Sequence, residues 1–152
     1  MALGVQQDTA PRELTFRDGT LCIAHDFMDR NTYEKIRTIN MPNTIQRIGN
    51  HSFSAPYGYG SNIEFIRFSN NLEEIGNEAF RYNKRIESLN IPNSVKKVGY
   101  RAFANMEKLA TVKNYNAPIS GEEVLPYTHR RLLKRLMMIF TKFRQGIITM
   151  KD

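Results

Sequence analysis

Apolar and polar positions along the chain fall into a phrase that returns three times. Met41 to Phe53 reads MPNTIQRIGNHSF, Phe68 to Phe80 reads FSNNLEEIGNEAF, and Ile91 to Phe103 reads IPNSVKKVGYRAF. Aligned on Gly49, Gly76 and Gly99, the copies share an aromatic four residues later (Phe53, Phe80, Phe103). One residue before the glycine stands Ile48, Ile75 or Val98, and three before that Ile45, Leu72 or Val95. The glycines are 27 and 23 residues apart, a period at which self-similarity means stacked supersecondary units. After each phenylalanine comes a short alternating segment: Ile36–Met41, Ile63–Phe68, Ile86–Ile91 and Leu109–Asn114. Alternation predicts a short strand that turns its apolar side chains inward. The MPN and IPN that follow end it, because proline cannot continue a ladder and asparagine favours a turn. Glycine through phenylalanine, as in GNEAF, is expected to form one helical turn. A fourth, worn copy runs from Leu14 to Met28, with Leu14 on Leu89, Ile23 on Val98, Met28 on Phe103, and Ala24 in the glycine place. Terminal repeats are atypical because one side lacks a neighbour.

The phrase IPNSVKKVGYRAFANMEKLATV closely resembles the BspA-like, or Treponema-type, leucine-rich repeat, and the resemblance covers roughly residues 14–114. It implies an α/β solenoid: a short curved leucine-rich-repeat stack with parallel strands on one face. It also implies a binding protein without enzymatic activity, of a kind often found on bacterial or protozoan surfaces. The chain departs from those surface proteins in its few repeats, the absence of an evident leader and a basic tail. The expected organisation is a lead-in (1–13), about four repeats (14–116), and a basic amphipathic C-terminal helix and tail that caps the stack (117–152).

In a strand of form L-x-x-L-x-L the third and fifth positions face away from the core. Stacking aligns them into two exposed rows. One is Thr15, Asn40, Arg67, Asn90 and Lys113; the other is Glu13, Thr38, Phe65, Ser88 and Thr111. Phe65, an aromatic among threonines and serines with Arg67 beside it, is the exception. Aromatic and arginine side chains are over-represented at binding hot spots; a ring leaning on its neighbours is the plainer account. The insertion SAPYGYGSN, Ser54–Asn62, adds Tyr57 and Tyr59 between glycines. Repeat insertions often map to the binding face, although a neutral loop would look the same. These residues make up the candidate site for a macromolecular partner, most simply another protein.

Charge changes the picture only at the C-terminus. Residues 1–126 carry 15 Lys/Arg against 14 Asp/Glu, while residues 127–152 carry seven against one. A helix is expected over about 128–144, with Leu132, Leu136, Phe140 and Phe143 on one side. Arg130, Arg131, Lys134, Arg135, Lys142 and Arg144 occupy much of the rest. Such a helix suits a cap on an open apolar end. It also suits an electrostatic site for nucleic acid or an anionic surface, or a segment docking into another protein. Self-association through an end strand or this stripe is a further reading.

Chemistry-bearing motifs are sparse. His25, His51 and His129 lack acids at ligand spacing, and there is no H-x-x-x-H, C-x-x-C or nucleophile motif. Cys22 stands between Leu21 and Ile23 and reads as a small core residue. The sequence therefore predicts neither enzyme nor cofactor. A single cysteine allows no internal disulfide, and no run approaches the ~18 apolar residues of a membrane span. With no secretory leader evident, the balance leans towards the cytoplasm, with a surface or secreted location left open if a leader has been removed.

Overall fold

The computed structural model describes residues 12–113. Each turn of the chain contributes two short extended pieces separated by tight bends. The first set is β1 (Glu13–Thr15), β3 (Thr38–Asn40), β5 (Phe65–Arg67), β7 (Ser88–Asn90) and β9 (Thr111–Lys113). The second set is β2 (Cys22–Ile23), β4 (Arg47–Ile48), β6 (Glu74–Ile75) and β8 (Lys97–Val98). All pairings are parallel, in the orders β1-β3-β5, β7-β9 and β2-β4-β6-β8. The result is a parallel-strand solenoid of about four turns with little helix. Its register is the one the repeat implies: Thr38 lies opposite Phe65 and Asn40 opposite Arg67, while Ser88 lies opposite Thr111 and Asn90 opposite Lys113.

One turn cannot bury its apolar face, so the core forms between turns. Ile39 and Leu89 point inward from the first set, and Ile23, Ile48, Ile75 and Val98 from the second. Ile45, Leu72 and Val95 fill the space between them. The repeat phenylalanines form a buried column. Phe53 stacks on Phe80 with ring centroids 5.1 Å apart, and Phe80 on Phe103 at 5.7 Å. Stacking adds roughly 0.5–1.5 kcal/mol per pair beyond area burial.

The glycines are there for proximity. A Cβ on Gly76 would sit 2.6 Å from Asn50 N and Gly49 C of the preceding turn, and one on Gly99 2.5 Å from Asn77 N. Ala24 is allowed in this place because no described turn precedes it.

Two expectations are corrected. The stretch from glycine to phenylalanine is a run of bends, not a helical turn. Two residues after each glycine position stands a left-handed residue: Asp26, His51, Glu78 and Arg101, with φ between +48° and +54°. Beyond it the backbone N–H groups reach across to the next turn instead of back along a helix: Glu78 N donates to Tyr100 O and Phe80 N to Ala102 O, both at 2.8 Å. Cys22, read as a core residue, is exposed. It pairs with Arg47 in the ladder, whose next members are Glu74 and Lys97, so it stands in an outward row while Ile23 faces the core. Arg47 Nη2 donates to its Sγ at 3.2 Å, and that contact pushes the guanidinium further above its ordinary range.

A six-residue helix, α1 (Arg30–Lys35), was not expected from the periodicity, being shorter than two turns. Its signal is Asp29, whose carboxylate accepts the Thr32 N–H as an N-cap at 2.9 Å. Among the described residues no helix is long and apolar enough to cross a membrane.

Candidate functional site: the strand face and the tyrosine loop

The first strand set presents one outward face. Phe65 is 63% exposed at its centre, with Thr38 beside it on β3. Arg67, two residues on, projects from the same face with no ion-pair partner among the described residues. Asn40 flanks Arg67 on β3; Asn90 and Lys113 continue the row on β7 and β9. The structure thus sets Asn40 beside Arg67 and Asn90 beside Lys113, two halves of the row the sequence implies.

Behind that row the charges are matched. Glu64 takes Arg37 at 3.0 Å and Arg85 at 3.7 Å, and Lys84 pairs with Glu107 at 2.8 Å. These pairs are partly exposed and stabilise by no more than about 1 kcal/mol each. Their main consequence is to leave Arg67 as the uncompensated cation beside Phe65.

The face is not continuous. β5 and β7 are neighbours but belong to separate ladders. Along the seam between them lie two open clefts. One of about 570 Å³ sits towards the strand starts, bordered by Phe65, Arg85 and Ser88. The other, about 450 Å³, sits towards the strand ends, bordered by Arg67, Asn70, Asn90 and Asn93.

The insertion is pinned at its base and open at its tip. Ala55 and Ser61 are buried, and the Ser61 hydroxyl donates to the Asn83 side chain. Asn83 in turn donates to the carbonyls of Phe53 and Phe80 at 2.8 Å. Between those anchors Gly58 and Gly60 take positive φ, which glycine adopts without a Cβ clash. Tyr57 and Tyr59 stand 82% and 80% exposed. Tyr57 packs edge-on against Tyr82 at 5.6 Å, and the Arg81 guanidinium covers the Tyr82 ring at 4.5 Å. Tyr59 borders a small cleft of about 180 Å³ that it shares with Arg85. Tyr59 and Phe65 thus line two clefts with a common wall, and Tyr57 stands apart with Tyr82. Sequence reasoning missed Arg85; its one signal was its place just before the β7 segment, level with Asn62.

His25 is committed to structure, its Nδ1 accepting the Asn50 N–H at 2.8 Å, and His51 Nδ1 lies 3.8 Å from the Glu78 carboxylate. In the cleft wall beside Tyr59, the Tyr33 hydroxyl donates to Met28 O at 2.9 Å. Burial, with help from Asp26 and Asp29, pushes its pKa up. His129 and the alternative basic site, Arg130, Arg131, Lys134, Arg135, Lys142 and Arg144, lie outside the described residues, as does the expected capping helix.

Three solved structures resemble this chain. A leucine-rich repeat protein from Bacteroides ovatus matches with 30% identity and a TM-score of 0.56, over 66% of this chain and 24% of that one. A leucine-rich cell surface protein from Faecalibacterium prausnitzii matches with 21% identity and a TM-score of 0.46, over 67% of this chain and 31% of that one. A leucine-rich repeat protein from T. pallidum matches with 15% identity and a TM-score of 0.43, over 82% and 83%. The chain spans about a quarter of the Bacteroides protein. No curated protein matches it. The model of the BspA-type leucine-rich repeat region matches residues 27–117, more than half of the chain and the stretch that contains Gly49, Gly76, Gly99 and the phenylalanine column: the chain belongs to the BspA-type leucine-rich repeat family.

Proposed function

We propose that this chain is a non-enzymatic protein-binding module that engages a macromolecular partner through its first strand face, with Phe65 and Arg67 at the centre and the tyrosine loop at the margin. The observation that carries the reading is Phe65, an exposed aromatic beside an unpaired arginine in a row of small polar side chains. Apolar rings and arginines left in water on a rigid sheet lose little entropy on binding, and such residues dominate interface energetics. The exposed tyrosines add contact area at low entropic cost. Repeat stacks of this kind generally serve as interaction modules, which supports the class of function without naming a partner.

The test compares the full chain with a variant carrying alanine at Phe65, Arg67, Tyr57 and Tyr59. Both are immobilised, exposed to proteins of the native environment, and checked by circular dichroism for an unchanged melt. Loss of at least tenfold in captured partner is expected of the variant. Equal capture by both proteins would remove this face as the site.

A further inference from the structure

We infer that the seam between β5 and β7 is a receptor for an extended peptide segment carrying a carboxylate two residues from an apolar side chain. This rests on the strand-face reading above and names the chemistry of its partner. Phe65 and Arg67 are i and i+2 on one strand, so they share a face at a separation of roughly 6.6 Å. An extended peptide laid along the strands repeats its own side chains at the same interval. One residue can therefore meet the ring while the next on that side meets the guanidinium.

The two ends of the seam differ in charge, and that sets the partner's orientation. At the strand ends, the cleft beside Arg67 is bordered by the amides of Asn70, Asn90 and Asn93 and holds no acid. A guanidinium in a cleft that holds no acid is a carboxylate receptor. At the strand starts, the cleft beside Phe65 contains Glu64, Glu87 and Glu107 against Lys84, Arg85 and Lys108, so it is balanced overall. The carboxylate belongs at the asparagine end and the apolar side chain on Phe65.

The same inventory argues against a polyanion. A nucleic acid strand or an anionic bilayer rewards contiguous unpaired cations. Here Arg85 and Lys84 are already paired, and three glutamates share the cleft. The ladder is interrupted at this seam, whereas β3 and β5 are hydrogen-bonded in one sheet, and both clefts beside Phe65 and Arg67 lie along the interruption.

The test is selection of a fully randomised heptapeptide display library on the full chain, on Arg67→Glu and on Phe65→Ala. Lys97→Glu, on the second strand set, is the control, and each variant is checked for an unchanged melt. The wild-type chain is expected to enrich Asp or Glu two positions from an aliphatic or aromatic residue. The best such peptide should bind Arg67→Glu and Phe65→Ala at least tenfold more weakly and Lys97→Glu equally well. Arg67→Glu should itself select Lys or Arg at the acid position. No enrichment on the wild-type chain, enrichment without an acid, or an acid preference that survives Arg67→Glu would each overturn the inference. Any of these beside a fourfold alanine variant that still loses its natural partner would leave the strand face standing as the site and remove only the peptide chemistry.

Discussion

Asn50 Oδ1 accepts the backbone N–H of Asn77 at 2.9 Å, one full turn of the solenoid away. The relationship repeats. Asn77 Oδ1 accepts the N–H of Tyr100 at 2.9 Å, and His25 Nδ1 accepts that of Asn50 at 2.8 Å. Asn50 and Asn77 after their repeat glycines, and His25 after Ala24, thus each satisfy a donor on the following turn, at the place where the glycines bring the backbones close.

Asn77→Ala should destabilise the fold through one lost hydrogen bond and one N–H left without its acceptor, a cost of about 1 kcal/mol. For a chain of 152 residues that lowers Tm by roughly 2–4 °C. A thermal melt of Asn77→Ala beside the wild-type chain measures it. Asn50→Ala should give a similar shift, and an unchanged Tm in both would show that the ladder contributes nothing.

Gly76→Ala should cost more. Its Cβ would meet Asn50 N and Gly49 C at 2.6 Å, and backbone cannot move aside as a flexible side chain can. Overpacking of this kind costs about 1–3 kcal/mol. Gly58→Ala has open space around the new methyl but a φ of +87°, so its cost is conformational, about 1–2 kcal/mol. Denaturant titrations of the two variants would rank them. A neutral Gly76→Ala would mean that the turns are packed less closely than described.

Tyr33 ties alkaline stability to the wall beside the tyrosine loop. Its pKa is raised in the fold, by burial first and then by Asp26 and Asp29. The neutral phenol is therefore favoured in the native state, and the unfolded chain, titrating near pH 10, loses that proton first. Its stabilising contribution is complete below about pH 10 and is lost as pH rises towards the folded pKa. Tyr33→Phe gives up the bond to Met28 O, about 1 kcal/mol at neutral pH, and should lose less stability than wild type as pH rises above about 10. Parallel stability curves for both proteins would reveal a common slope if the phenol has no part in it.

The proposed end cap makes its own prediction. A repeat stack needs its last apolar cross-section covered, and the Leu132, Leu136, Phe140 and Phe143 stripe is the segment of this sequence suited to cover it. Residues 1–126 should therefore melt well below the full chain by circular dichroism. An equal melt would refute the cap and leave the basic segment expected to be helical open to a partner, with salt-dependent binding as the next measurement.

Much of the architecture was legible in the sequence because stacking repeats one environment. Every turn must bury the same face, so Leu14, Ile39, Ile66 and Leu89 could be placed inward, and Phe65 and Arg67 outward, from spacing alone. The same rows would have placed Cys22 outside with Arg47, Glu74 and Lys97, had they been read across turns instead of along the strand. Other features depend on contacts between residues 22–27 positions apart, which no local pattern encodes. The left-handed Glu78 replaces a helical turn because its N–H bonds to Tyr100 in the next turn. The break between β5 and β7, the shared wall at Arg85 and the asparagine ladder likewise arise only when the turns are laid on one another. Periodic burial determined which way each side chain faces; the distance of closest approach between turns decided which of them meet.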